Sequence, residues 1–234
     1  MRTAAILPVK RFSAAKSRLG ASGVAESLRQ RLARAMVADV LLALAGSDEI
    51  ERTIVVTREP DLAAVVAEHG ALIVEDRDDE GQSAAVALGV SRALDDGFAR
   101  VLCIPGDCPA LDPSELDELL AAADARANAR VDAEVVIVPD RHGTGTNGLL
   151  LTPPDAIAPA FGPGSFERHR ELALAAGARL QIERPASLLL DIDTGDDLAA
   201  LRDRLDATSA AAARTRAVLG QPESQPILSI IETD

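Results

Sequence analysis

Lys10 and Lys16 are the only lysines in a chain that otherwise takes its basic side chains from arginine, twenty-two times over. They stand six residues apart, with Arg18 close behind, just after the apolar run Ala4-Ala5-Ile6-Leu7-Pro8-Val9. A compact ammonium is a point charge that fits where a planar guanidinium does not. No Asp or Glu precedes Glu26, although the whole chain carries a net charge of −13. A cationic loop after a first strand, in an acidic protein, suits an anion. A phosphate loop of the Walker A kind needs glycines ahead of its Lys-Ser pair, and Lys16-Ser17 has none. Direct neutralisation of a polyphosphate by the lysines is the chemistry that fits, with a merely solvated basic loop as the alternative.

Aspartates supply the opposite charge. In Cys103-Ile104-Pro105-Gly106-Asp107-Cys108-Pro109-Ala110-Leu111-Asp112-Pro113-Ser114-Glu115, two of them have different local chemistry. Asp112 precedes a proline and lies three residues before Glu115, which reads as a capping box with Pro113 at the first helical position. Asp107 follows a glycine at a strand end with no helix to cap. A hard carboxylate there suits Mg²⁺, and an ordinary Asx turn is the alternative. In Leu188-Leu189-Leu190-Asp191-Ile192-Asp193-Thr194, a strand that persists to Asp193 would put Asp191 and Asp193 on one face. Two like charges so placed repel, and a cation relieves them. Thr194, three residues before Asp197, can cap the following helix. With Asp107 the pair makes a Mg²⁺ site of few protein ligands, completed by phosphates and water.

Two further loops carry polar groups where backbone can approach a ligand. Residues 140–148, Asp-Arg-His-Gly-Thr-Gly-Thr-Asn-Gly, hold three glycines and two threonines, and read either as a ligand loop or as a flexible hairpin. Residues 161–169, Phe-Gly-Pro-Gly-Ser-Phe-Glu-Arg-His, place Ser165 as an N-cap with open helix amides that attract phosphate or carboxylate. His169 reads equally as a surface histidine.

These loops need elements to hold them. Strand-like runs fall at 4–8, 53–57, 71–74, 101–105, 133–139, 149–152 and 188–191. Helical periods fall between them at about 25–44, 61–68, 84–95, 114–127, 166–176 and 196–205. The alternation predicts an α/β fold, a mostly parallel twisted sheet with helices on both faces. In such a fold ligands gather beyond the carboxyl ends of the strands. Residues 1–206 are expected to form the domain and 207–234 a helix end and peripheral tail, with the run Ile227-Leu228-Ser229-Ile230-Ile231 either frayed or a short strand.

Composition narrows the functional classes. At 234 residues, 47% of them hydrophobic, the chain can bury a substantial core. Its acidity argues against nucleic-acid binding, and four Phe with no Tyr or Trp leave no base-stacking platform. Cys103 and Cys108 are too few for a zinc site or disulfide framework. No run is long enough to span a membrane and no signal-peptide pattern opens the chain, so a cytosolic protein is expected.

Leu-Pro-Val-Lys at 7–10, Ala-Lys-Ser-Arg-Leu at 15–19, Gly-Asp-Cys-Pro-Ala-Leu at 106–111, Gly-Thr-Gly-Thr-Asn at 143–147, Phe-Gly-Pro-Gly-Ser at 161–165 and Asp-Ile-Asp-Thr at 191–194 together resemble one family. It is the phosphoenolpyruvate/2-phospho-L-lactate guanylyltransferase family (CofC/FbiD) of coenzyme F-420 biosynthesis, and the match runs to about Leu205. The resemblance implies a Rossmann-like nucleotidyltransferase core in which the Lys10/Lys16 loop replaces the Leu-Ala-Gly-Gly phosphate loop of related enzymes. It implies that Asp107, Asp191 and Asp193 bind Mg²⁺ and that Lys10 acts at the reacting centre, where Lys16 and Arg18 also offset triphosphate charge. Thr146, Gly162 and Ser165 match positions that hold the phospho-acid, largely through backbone amides. Gly81 and Ser83 fall on the nucleotide side, where family members often carry a Leu-Asn segment in place of Gly81-Gln82-Ser83-Ala84-Ala85. The implied reaction moves GMP from GTP onto phosphoenolpyruvate, 2-phospho-L-lactate or 3-phosphoglycerate, releases diphosphate, and hands its product to a downstream transferase. A nucleotide-sugar glycosyltransferase, which also uses D-x-D, and a non-catalytic nucleotide-binding subunit are the alternatives.

Overall fold

The computed structural model describes residues 1–14, 19, 23–127, 133–207 and 211–221. The first strand shows why the sheet is covered on both sides. β1 (Thr3–Val9) is apolar at successive positions, and the strand period of two sends Ala5, Leu7 and Val9 into one core and Ala4 and Ile6 into another. β2 (Arg52–Thr57), β4 (Arg100–Cys103), β5 (Glu134–Pro139) and β6 (Thr146–Thr152) divide their side chains in the same way. On the first face lie α1 (Glu26–Ala45), α2 (Ala63–Glu68) and α4 (Pro113–Ala127). The second face carries α3 (Gln82–Asp95) and α5 (Ser165–Ala175).

With β3 (Leu72–Glu75) and β7 (Arg179–Ile182), the strands form one seven-stranded sheet in the order β3-β2-β1-β4-β6-β5-β7. β1 pairs in parallel with β2 and β4, β2 with β3, and β5 with β7. Only β6 runs the other way, antiparallel to both β4 and β5. Its first residues therefore sit at the edge where the parallel strands end. The predicted α/β sheet with helices on both faces is the observed one, with this single reversal added.

Two strand expectations need correction. Residues 188–191 are not a strand: a 3-10 turn (Ala186–Leu188) leads into irregular chain up to α6 (Gly195–Ala207). The three leucines read as a buried strand because they are buried, but Leu188 packs with the sheet and α4 while Leu190 packs with α1 and α6. The apolar run bridges two cores instead of pairing. Conversely β7 was absent from the reading because Arg179 and Gln181 break its apolar signal, as suits a half-exposed edge strand.

Capping fixes the ends near the ligand edge. Asp112 accepts from Ser114 N at 2.8 Å as predicted, but Glu115 reaches across to accept from Ser187 N at 2.8 Å, tying α4 to the segment before Asp191. Within the stretch expected as a tail, α7 (Ala213–Leu219) is held on α1: buried Asp39 accepts from Arg214 N at 3.1 Å, Thr215 N at 2.8 Å and Thr215 Oγ1 at 2.7 Å. An acid on one helix thus caps the start of another. The Ile227–Ile231 run lies outside the described residues.

Gly89 lets α3 approach the sheet closely. A Cβ there would stand 2.5 Å from Ile6 Cγ2 and 3.1 Å from Val56 Cγ2. Alanine gains up to about 1 kcal/mol in helix propensity, but overpacking a full core costs about 1–3 kcal/mol. Gly89→Ala is expected to lower the urea unfolding midpoint, and an unchanged or higher midpoint would show that α3 has room to move.

Candidate active site

Where the parallel strands end, one cleft of about 580 Å³ opens between the loops. Lys10, Gly81, Asp107, Thr146, Gly162, Ser165, Asp191 and Asp193 all line it, although they come from six separate segments of the chain. Lys10 is exposed at the end of β1, on a loop fixed from its neighbour: Thr57 Oγ1 donates to Val9 O at 2.8 Å, and Phe12 N donates to Glu59 Oε2 at 2.8 Å. Lys16 and Arg18 lie outside the described residues.

Asp107 and the Asp191–Asp193 segment are joined through the backbone, Ile192 N donating to Asp107 O at 3.0 Å. The link replaces the strand that the D-x-D spacing predicted. Asn147 Nδ2 donates to Asp191 Oδ1 at 3.1 Å and to Leu188 O at 2.9 Å, orienting the carboxylate from β6. Burial pushes the Asp191 pKa up, and the Asp107 charge raises it further, with a smaller push from Asp193; the Asn147 hydrogen bond acts the other way. The carboxylates therefore share one electrostatic field. Among the described residues, no three His, Cys, Asp or Glu side chains converge closely enough to enclose a metal ion. This donor set, hard oxygens that repel one another at an open cleft, suits Mg²⁺, which keeps waters and takes phosphate oxygens as ligands.

A second tier of bonds holds these loops still. Asp197, 5% exposed, accepts through Oδ2 from Asp193 N at 3.1 Å, Thr194 N at 2.7 Å and Thr194 Oγ1 at 2.8 Å. Its own amide donates to Thr194 Oγ1 at 3.3 Å, completing the cap that the Thr194/Asp197 spacing predicts. Arg141 Nη2 meets Asp197 Oδ1 at 2.6 Å, so the 140–148 loop braces the loop of the acids. That loop is itself no slack hairpin. Asp140 accepts from Thr144 N and Gly145 N, each at 2.9 Å, and against the upward push of burial these amides hold its carboxyl below the usual range. A register shift in the β5–β6 pairing makes Asn147 the extra residue, so Thr146 and Asn147 both face the cleft instead of alternating.

The 161–169 segment differs from its sequence reading in three ways. Gly164, at φ 73°, is the N-cap, and Ser165 is the first helical residue and nearly fully buried. The amides of Ser165 and Phe166 are not open: they donate to Gly162 O at 3.0 Å and Thr144 O at 3.2 Å. A glycine supplies the left-handed cap because the chain must double back there, and a residue with a Cβ would be strained. Arg168 gathers the carbonyls of Ala160, Phe161 and Pro163, the last at 2.5 Å. In a trans peptide the N–H points opposite its C=O, so the Gly162 and Gly164 amides face away from that guanidinium. His169 is not a surface residue at all but is 0% exposed on α5, whose inner face packs into the second core.

On the β3 side, Asp76, Asp79, Gln82 and Ala85 line the cleft next to Gly81, the N-cap of α3. Ser83 is not among the lining residues; its Oγ accepts from Phe161 N at 2.9 Å, linking the two rims. The sequence reading passed over Asp76 and Asn147. Asp76 sits in the acidic run 75–80 with no local mark to separate it, and Asn147 looked like one polar residue in a glycine-rich loop.

Residues 3–207 match the family described as "Guanylyl transferase CofC like". A phosphoenolpyruvate guanylyltransferase of Conexibacter woesei is 47% identical over 221 residues, 94% of this chain and 96% of that protein. One from Sphaerobacter thermophilus is 37% identical over 198 residues, covering 85% and 91%. In solved structures, a protein of Desulfovibrio desulfuricans G20 assigned as a nucleotide-diphospho-sugar transferase superposes with a TM-score of 0.75 at 19% identity over 98% of both chains. A nucleotidyl transferase from Methanothermobacter gives 0.62 at 22% identity, over 88% and 99%. These structures share the fold.

Two measurements follow from the electrostatics. Because Asp107 adds to the cost of ionising Asp191, Asp107→Asn is expected to raise the melting temperature of the free protein at neutral pH while turnover falls by roughly 100-fold or more. A lower melting temperature would mean that Asp107 is a structural acid. Burial, then the charge of Arg168, lowers the His169 pKa from 6.5 to about 4. Between those values the unfolded chain binds a proton that the native state refuses, so stability falls as pH drops from 6.5 towards 4. Urea midpoints across that range are expected to lose part of this slope in His169→Gln, and an identical slope would assign it to other groups.

Proposed function

We propose that this chain, which belongs to the CofC-like guanylyl transferase family, transfers GMP from GTP to phosphoenolpyruvate, releasing diphosphate, on the route to coenzyme F-420. The observation that carries the reading is the gathering in one cleft of Lys10 and the mutually repelling Asp107 and Asp191 with Thr146, Gly162 and Ser165. One half suits a triphosphate and the other a small phospho-acid. 2-Phospho-L-lactate and 3-phosphoglycerate present the same phosphate and carboxylate, and the names of the most similar relatives favour phosphoenolpyruvate.

A phosphate oxygen of the acid attacks the α-phosphorus of GTP, and the bond from that phosphorus to the α,β-bridging oxygen breaks as diphosphate leaves. A phosphate monoester is already an anion near neutral pH, so no general base is needed and no covalent enzyme intermediate forms. Alignment and charge neutralisation are what the protein supplies. Lys10 offsets charge on the triphosphate, and Lys16 and Arg18, which follow it in the sequence, add to that charge. Asp107, Asp191 and Asp193 hold Mg²⁺, which when bound supplies a Lewis acid for the reacting phosphates. The hydroxyls of Thr146 and Ser165 and the amide of Gly162 hold the acid; with the Ser165 amide engaged, the hydroxyls carry more of this than backbone alone. Gly81 and Gln82 bound the nucleotide side, where Asp76 offers the acceptor that the N1–H and amino group of guanine require. The product keeps a phosphoanhydride that a downstream cytoplasmic transferase can use.

With Mg²⁺ and GTP, diphosphate release is expected only when one of the three phospho-acids is added, and chelation of the metal abolishes it. No release with any of them would refute the reading, and transfer from a nucleotide sugar without triphosphate turnover would favour the glycosyltransferase. Lys10→Arg keeps the charge but not its compactness, and kcat is expected to fall about tenfold or more. Intact turnover would show that a point charge is not what this position requires.

A further inference from the structure

His169 is buried, and neither of its ring nitrogens is idle. Ala160 N donates to Nε2 at 2.9 Å, and Nδ1 lies 3.0 Å from Thr146 Oγ1. A backbone amide can only donate, so Nε2 must keep its lone pair. A neutral imidazole then carries its proton on Nδ1, and Nδ1–H donates to Thr146 Oγ1. With one oxygen lone pair so used, the Thr146 hydroxyl proton is not spent on the histidine. The ring is held by Phe161 packed edge-on at 4.9 Å. Burial and the neighbouring Arg168 lower its pKa to about 4, so it stays neutral at physiological pH. A protonated ring would turn a second donor against the Ala160 amide.

We infer that His169 is a positioning residue: its Nδ1–H fixes the Thr146 hydroxyl as a donor into the cleft, aimed at the phosphate or carboxylate of the phospho-acid, while its Nε2 anchors the loop that carries Gly162. The same ring thereby sets two of the three groups assigned to the acid, one on β6 and one on the loop before α5. Adjacent Arg168 completes the arrangement by turning the Gly162 and Gly164 amides away from itself. This inference deepens the proposed function and rests on it for the identity of the ligand.

Two substitutions separate the two halves of the ring. In His169→Gln the amide oxygen can stand at Nε2 and keep the Ala160 bond, but nothing faces Thr146. In His169→Asn the amide nitrogen stands at Nδ1 and keeps the bond to Thr146, but the loop anchor is lost. The expected result for His169→Gln is a KM for phosphoenolpyruvate raised roughly tenfold or more, with the KM for GTP unchanged. His169→Asn, which keeps the Thr146 bond but loses the loop anchor, is expected to raise the same KM by a smaller factor. Thr146→Val should match His169→Gln, and the double variant should be no worse than either alone. Multiplying effects, an equal rise in the KM for GTP, or a wild-type KM in His169→Gln would each overturn the inference. Imidazole ¹⁵N spectra of the substrate-free protein provide a readout without turnover, and also serve if His169→Gln fails to fold. The Nδ1–H tautomer is expected, and the Nε2–H tautomer refutes the inference whether or not the enzyme uses phosphoenolpyruvate. Absence of wild-type turnover with the expected tautomer present would instead refute the functional reading.

Discussion

The site depends on one strand running the wrong way. Were β6 parallel like its neighbours, Thr146 and Asn147 would begin at the far edge of the sheet from Lys10 and Asp107. Because it is antiparallel to β4 and β5, its start lies at their carboxyl ends, and the loop 140–145 becomes a tight connection at the ligand edge. The register shift at Val138/Pro139 then turns two successive side chains into the cleft. Thr146 meets His169, and Asn147 orients Asp191. A reversal that looks like an irregularity of a parallel sheet brings Thr146 and Asn147 to the cleft that Lys10, Asp107 and Asp191 line.

The second constraint is electrostatic. Burying Asp191 beside Asp107 raises the cost of its ionisation, and the hydrogen bond from Asn147 offsets only part of that cost. Residues that served only folding would not be arranged so. In the proposed reading, a divalent cation and the charges of the substrates turn the same repulsion into binding, so the three carboxylates need not close into a cage of their own. The rest of the cleft edge spends acids differently. Asp197, Asp140, Asp112 and Glu59 each accept backbone amides and hold loops in place. The acidity of the chain thus divides between carboxylates that build the loops and carboxylates that line the cleft.

The functional loops show which expectations rest on local chemistry. The helix cap by Asp112 and the box formed by Thr194 and Asp197 were legible because their partners lie within three residues. Ser165 as an N-cap failed although its residue type was right, because Gly164 could adopt the left-handed conformation and the serine moved one place into the helix. The helix amides looked open from sequence because their acceptors, Gly162 O and Thr144 O, belong to folded loops. His169 was ambiguous for the same reason: its partners, Thr146 and Ala160, are 23 and 9 residues away.

By itself the sequence determined the class of fold, through apolar runs of strand and helix period. It also pointed to groups that gather in one cleft, through Lys10, three aspartates at strand or loop ends, and glycine-rich turns. Those are properties of short windows, in which a residue's chemistry and its spacing to near neighbours decide the outcome. Only the tertiary structure decided that β6 is reversed, that 188–191 bridges two cores instead of pairing, and that Asn147 and His169 orient Asp191 and Thr146. These outcomes depend on which strand edge is free and which core has space when the chain closes on itself. That competition is among distant segments, and no window of sequence contains it.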